Sequence, residues 1–163
     1  MNARRPAPPI YPEADAFMNI LMVNHGLREI LDIQRRVCLN QEKGDLSRRA
    51  KNFRSLRFVY FGLLTKSAGM VEMLQLKCDS FAGRLPEFEG IQRDLLDFKA
   101  DLVMVQGYIE KNRLEEAWDG IIGLSEKYET IYPSIKNAAA RNLQAHFGNC
   151  RVKAKRQCRG CRT

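Results

Sequence analysis

The sequence predicts an all-α protein, an up-and-down bundle of four to five helices with a mobile amino-terminal arm and a basic carboxyl-terminal tail. Apolar residues recur three and four positions apart through most of the chain, which is the spacing of one helix face. No segment alternates apolar and polar residues as a half-buried strand does. Short breaks with glycine or proline separate the helical stretches, and such connections favour antiparallel neighbours.

Three segments differ in composition. Residues 1–11 contain three prolines and predict an extended, mobile arm. Residues 12–147 carry the helical pattern and predict the folded domain, which is long enough to bury a core. Residues 148–163 have almost no apolar side chains and predict a disordered, cysteine-containing tail, unless a ligand or metal orders it.

The first helix is predicted over residues 12–40, because Pro12 suits a first helical position. Residues 41–45 contain Gly44 and predict a turn. A second helix is predicted over residues 46–78. Its middle, residues 58–61, is apolar nearly all round, so we expect this helix to be central or to be covered by a partner.

The remaining helices follow from the same pattern. A third is predicted over residues 86–111 and a fourth over residues 114–131. Pro133 is expected to end or kink the fourth helix. A short fifth helix is then predicted over residues 133–147, with Gly148 as its carboxyl-terminal cap.

Charge is distributed unevenly. The chain carries a net charge of +8, with a net positive charge before residue 58 and after residue 140 and a net negative charge between them. Clustered positive charge indicates a polyanionic partner. The predicted nucleic-acid-binding residues are the basic side chains of these two segments: Arg48, Arg49, Lys51, Arg54, Arg57, Arg151, Lys153, Lys155, Arg156, Arg159 and Arg162.

Aromatic residues lie among the earlier group of cations. Phe53, Phe58 and Tyr60 are interleaved with or follow them. Basic residues with aromatic neighbours suit phosphates and stacked bases. The alternative is a solvated helix surface whose aromatic residues face the core, and for Phe53 this alternative is favoured.

The segment Arg141-Asn142-Leu143-Gln144-Ala145-His146 resembles the Arg-Asn-x-x-x-His signature of HEPN ribonucleases, which are all-α proteins of similar size. The second-helix stretch from Leu63 to Glu72 also looks like the apolar-then-glutamate pattern of that family. The resemblance implies that Arg141 binds the scissile phosphate, Asn142 orients the site and His146 acts as acid or base. It implies no metal, and a composite site formed by two protomers.

The sequence departs from this signature at Gln144, where an apolar residue is usual, and no acidic residue or second histidine lies nearby in the chain. The competing interpretation is a polar, partly exposed face of a terminal helix. We therefore treat Arg141, Asn142 and His146 as catalytic candidates only if the resemblance holds.

A possible zinc site shares one of these residues. His146, Cys150, Cys158 and Cys161 provide four soft ligands, enough for one tetrahedral ion. However, only Cys158 and Cys161 form a Cys-x-x-Cys pair, so three unpaired thiols on a basic tail are the alternative. A metal-bound His146 could not also serve as acid or base.

Five cysteines, two of them within apolar segments, indicate reduced thiols and a cytoplasmic protein. No apolar run approaches the length of a membrane span, and the first residues lack the organisation of a secretory signal.

Three hypotheses remain. The favoured one is a non-enzymatic helical nucleic-acid-binding protein, with RNA preferred, acting as a homo-oligomer or as a subunit of a ribonucleoprotein assembly. The alternatives are a HEPN-like, metal-independent endoribonuclease and a helical adaptor or chaperone that binds a protein partner along the second helix.

Overall fold

The chain forms four long helices. The computed structural model describes residues 12–42 and 46–160. Within them α1 spans Pro12–Glu42, α2 spans Leu46–Ala82, α3 spans Glu87–Glu110 and α4 spans Leu114–Gly160. The predicted all-α, up-and-down bundle is confirmed, with four helices and not five.

The helices lie at the four corners of a square in chain order. α1 packs against α2 and α4, and α3 packs against the same two helices. Two side-chain pairs show that α2 and α3 are antiparallel. Lys99 donates a hydrogen bond to Glu72, and two turns nearer the start of α2, Gln106 donates one to Thr65. α2 is therefore one corner of the bundle and not its centre, so its outer face is open to solvent.

Aromatic side chains fill the core in groups. Phe53, Tyr60 and Trp118 lie together near the start of α2, with ring centroids 5.7 and 6.2 Å from Phe53. Near the end of α2, Phe17, Phe81 and Phe88 form a second group, with Phe17 and Phe81 centroids 4.5 Å apart. Each of these six side chains is buried, so both ends of the bundle have a large apolar core.

α4 is longer than the sequence predicts. The prediction that Pro133 ends the fourth helix is wrong, because the helix continues through this exposed proline. A proline removes one backbone donor, but the buried stripe of Ile131, Ile135 and Ala138 continues across it, so tertiary packing holds the helix together. The predicted end at Gly148 is also wrong: no described glycine has the positive φ of a left-handed cap, and helical backbone extends to Gly160.

α3 and α4 approach closely at one glycine. A Cβ atom added to Gly120 would lie 2.5 Å from a methyl carbon of Val105. In the turn between α3 and α4, Asn112 has a φ of 55°, in the left-handed region that asparagine tolerates. Among the described residues, no helix combines the length and apolar content needed to cross a membrane.

Candidate nucleic-acid interface and the histidine groove

The first turns of α2 form a cationic surface, which we call the basic segment (residues 48–57). Arg48, Lys51 and Arg54 are exposed, and Arg57 is partly buried. These side chains span about 13 Å of helix at 1.5 Å per residue. No acidic residue occurs between residues 46 and 71, so every charge on this stretch of α2 is positive. Glu110 of α3 lies near Arg57, at the end of the basic segment.

Six cations elsewhere in the bundle have acidic partners, whereas others, such as Arg93 and Lys136, form no ion pair with a described side chain. Arg28 binds Glu129, Lys127 binds Asp101, and similar pairs hold Arg36, Arg84, Lys99 and Arg113. None of the described side chains of the basic segment forms an ion pair. Their charges therefore remain available to an external anion.

The start of α2 also differs from the starts of the other helices. Acidic residues occupy the first turns of α1, α3 and α4, where they offset the partial positive charge of the helix amino terminus. The first turn of α2 has none. The helix dipole and the basic side chains therefore act in the same direction and attract anions.

The aromatic residues of this region separate into two kinds. Phe53 is fully buried, as the sequence favours. Tyr60 is only 2% exposed, so the hypothesis that it stacks on bases is wrong, and its burial raises the pKa of its hydroxyl. Phe58 is 77% exposed, and the Arg57 guanidinium lies 5.3 Å from its ring centroid.

The histidine candidate lies at the opposite end of the bundle, in a small groove of about 200 Å³ that we call the histidine groove. His146 Nδ1 is 4.0 Å from the Glu13 carboxylate. Arg84 donates a hydrogen bond of 3.0 Å to the other oxygen of Glu13. Phe17 and Phe81 supply apolar lining, and Asn149 also lines the groove.

Asn142 lines the same groove but is already engaged. Its amide donates hydrogen bonds to Glu87 at 3.0 Å and to the Ala138 carbonyl at 2.8 Å. The bond from Asn142 lowers the pKa of the Glu87 carboxyl, with a further contribution from a backbone N–H and a smaller one from nearby Arg141. Asn142 thus fixes α4 against the start of α3.

The structure does not bring Arg141 into this groove. Arg141 is exposed and donates a hydrogen bond to the Asn137 carbonyl. It lies near Glu87, whose carboxyl pKa it helps to lower. Arg84 is the guanidinium beside His146 instead. Glu72 ends the α2 stretch that looks like the HEPN pattern. It pairs with Lys99 about 16 Å from the histidine groove along the bundle axis, so it takes no part in the groove.

The proposed zinc ligands do not converge in the helical conformation of α4. His146 and Cys158 are twelve residues apart on one continuous helix, a separation of about 18 Å. Ligand atoms on one zinc ion lie within roughly 4 Å of each other. Cys161 lies outside the described residues, and no group of three or more metal-ligand residues occurs among the described side chains.

The second cationic segment lies far from the first. His146 faces Glu13, at the start of α1, and α4 continues beyond that level to Gly160. The basic residues of this extension are therefore about 50–60 Å from Lys51 along the bundle axis. The side chains of Arg49, Arg151, Lys153, Lys155, Arg156 and Arg159 are outside the described part of the structure, as is residue Arg162.

Sequence reasoning missed Glu13, Arg84 and Glu87, which surround the candidate histidine and asparagine. They are distant from residues 141–146 in the chain, so local motifs cannot reveal them. One signal was available: the antiparallel order of four helices brings the start of α1, the α2–α3 turn and the later part of α4 to one end.

Comparison with protein-family models, curated proteins and solved structures gives no match for this chain. The resemblance to HEPN ribonucleases therefore rests only on the Arg141–His146 segment, the Leu63–Glu72 stretch and the helical architecture.

Proposed function

We propose that this chain is a non-enzymatic nucleic-acid-binding protein whose basic segment contacts the phosphate backbone. The observation that carries this proposal is the row of exposed cations at Arg48, Lys51 and Arg54, which have no acidic partner among the described side chains. Phosphate contacts by such side chains release condensed counterions, which favours binding at low salt.

The geometry favours backbone contacts over base readout. Of the three aromatic residues interleaved with or following these cations, Phe53 and Tyr60 are buried, so only Phe58 is exposed to stack on a base. The extension of α4 supplies a second cationic segment on the same chain. RNA is favoured over DNA because of the resemblance to HEPN ribonucleases, and a subunit role in a ribonucleoprotein assembly fits a protein of this size.

The test is fluorescence anisotropy of labelled single-stranded RNA across a series of salt concentrations. The Arg48→Glu/Lys51→Glu variant should lose affinity on the order of tenfold or more and show a shallower salt dependence, because each lost phosphate contact removes about 0.7 from the slope. The matched control, Arg93→Glu/Lys136→Glu, changes net charge equally at exposed positions outside the basic segment. Equal losses in both variants would refute the proposed interface.

The second candidate function is a metal-independent endoribonuclease centred on the histidine groove. It is favoured by one observation: His146, Arg84 and Glu13 lie together there, which provides a group able to transfer protons and a cation for phosphate. The position of Arg141 outside the groove argues against the roles that the resemblance implies within one chain.

Incubating the RNA with protein in the presence of EDTA, followed by gel analysis, separates the two candidates. We expect binding without cleavage. Chelator-resistant cleavage that is abolished in both Arg141→Ala and His146→Ala would establish the ribonuclease with its implied site. Loss in His146→Ala and Arg84→Ala, but not in Arg141→Ala, would place catalysis in the groove as the structure arranges it.

A further inference from the structure

α2 presents an uncharged surface to solvent along most of its length, which we call the outer α2 stripe. All of its members are exposed, and they follow one another at spacings of three or four residues: Phe58, Gly62, Thr65, Gly69, Met73, Leu76 and Ser80. Such spacing places them on one side of the helix. Phe58 and Leu76 are 77% and 73% exposed, more than any other large apolar side chain described.

The outer surface of α4 is different. Glu115, Asp119, Glu126 and Glu129 are exposed there, at spacings that keep charge on the solvent side. α4 therefore does not share the uncharged helix face, about 33 Å long, that α2 presents.

We propose that a second copy of this chain covers the outer α2 stripe, with the two α2 helices antiparallel about a two-fold axis near Ser67. A two-fold interface requires a surface that is complementary to itself, and the order of residues along the stripe has this property.

The order of the side chains along the stripe suits this axis. Phe58 of one copy faces Leu76 of the other, so the two most exposed apolar side chains cover each other. Met73 faces Gly62, and Thr65 faces Gly69. A Cβ atom added to Gly62 or Gly69 would meet nothing within 4 Å in the single chain, so both glycines leave room for the facing side chain and for close approach of the helices.

The charges beside the stripe are also complementary under this axis. Arg54, which has no ion pair within the described chain, faces Asp79 of the second copy, which is exposed and accepts a hydrogen bond from Gln92. In the dimer Arg48 and Lys51 are then the exposed cations of the basic segment that remain for phosphate. The two Lys66 side chains lie near the axis. Gly26 and Met70 are in contact across α1 and α2, which places exposed Glu29 at the level of Lys66, so negative and positive charges alternate there.

This arrangement would bring to one end the two cationic segments that a single chain keeps about 50–60 Å apart. Antiparallel copies place the basic segment of one at the same end as the α4 extension of the other. This consequence rests on the proposed function, whereas the dimer itself does not.

The first test is the oligomeric state in solution without nucleic acid, measured by sedimentation velocity at micromolar concentrations. We expect a dimer for the natural chain and a monomer for Leu76→Glu and for Gly69→Gln, both at exposed positions that leave the bundle intact. Gly123→Gln is the matched control, because Gly123 is equally open but lies on α4. A monomeric natural chain, or dimers unaffected by both stripe variants, would overturn the proposal.

The second test fixes the orientation. Gly62→Cys and Met73→Cys chains, each with Cys150, Cys158 and Cys161 replaced by serine, are mixed and oxidised. A disulfide needs Cα atoms within about 7 Å, so the antiparallel arrangement predicts cross-links between positions 62 and 73 and none between two copies of position 62. The reverse result would overturn the antiparallel pairing.

The third test exchanges the charges. Asp79→Arg should weaken dimerisation at low salt, and adding Arg54→Asp should restore it because the pair is re-formed with reversed signs. Failure of the double variant to recover would show that these residues do not meet. RNA takes no part in any of these measurements, so a failure here leaves the proposed function standing.

Discussion

The basic segment of α2 and the histidine groove both concentrate charged side chains at an end of the bundle, but they arrange them differently. In the groove Arg84 binds Glu13, and Asn142 binds Glu87. In the basic segment the described cations have no acidic partner and lie on a helix whose first turn has no acidic residue. Charges that are paired within the chain stabilise its packing, whereas cations without an acidic partner can attract an anionic molecule.

This comparison predicts that the two ends are equally dependent on their apolar cores. Trp118→Ala, next to the basic segment, and Phe88→Ala, next to the groove, should each lower the free energy of unfolding by about 3–5 kcal/mol, because both side chains are fully buried. Urea denaturation followed by circular dichroism measures this, since Trp118 is the only tryptophan and fluorescence would be lost with it. A difference above about 2 kcal/mol would show that the ends differ in their cores as well as in their charges.

The comparison can be sharpened by removing the other cationic segment. Deleting residues 149–163 removes six basic side chains and no acidic one. RNA affinity at low salt should fall on the order of tenfold or more and its salt dependence should become shallower. The control is replacement of Cys150, Cys158 and Cys161 by serine, which keeps every charge of this segment and should therefore leave affinity unchanged. Unchanged affinity after the deletion would confine binding to the basic segment.

Alkaline pH should destabilise the protein. Burial raises the pKa of the Cys78 thiol to about 12, with a smaller contribution from Asp79, and burial also raises the pKa of Tyr60 and Tyr128. Above about pH 8.5 the unfolded chain loses the thiol proton while the folded chain keeps it, so stability falls by at most about 1.4 kcal/mol per pH unit from this group.

Urea titrations between about pH 8 and 11 measure this slope, with Cys78→Ala as the comparison. The variant loses stability overall because it leaves a cavity, but its alkaline slope should be smaller than that of the natural chain. Equal slopes in the two proteins would show that Cys78 does not cause the loss of unfolding free energy at alkaline pH.

The sequence predicted the fold class and the three turns between the helices, because periodic apolar residues report directly on the buried face. It failed in α4, where Pro133 and Gly148 are local signals for a helix end. There the buried stripe through Ile135 and Ala138 outweighs the lost backbone bond, which no local signal shows.

The candidate sites were less predictable. The exposed cations of the basic segment could be read from composition, since cations without nearby acidic residues seldom lie in a core. The neighbours of His146 could not, because Glu13 is 133 positions away in the chain and only the helix register brings it near. The exclusion of Arg141 from the groove depends on the orientation of α4 between α1 and α3, which follows from packing of the whole bundle.

The smallest predicted effect concerns Asn142, and it distinguishes a structural role from a catalytic one. Asn142→Ala removes the bond to Glu87 and should lower stability by about 1 kcal/mol or less at neutral pH. Because that bond lowers the pKa of Glu87, its contribution is present above the ordinary pKa of a glutamate and is lost as pH falls through the lowered value. The stability difference between the variant and the natural chain should therefore shrink at acidic pH.

Asn137→Ala, at an exposed position of the same helix, is the control and should show no such dependence. If Asn142→Ala instead leaves stability unchanged at every pH but alters RNA cleavage, the asparagine serves the reaction and the groove is more than a packing contact.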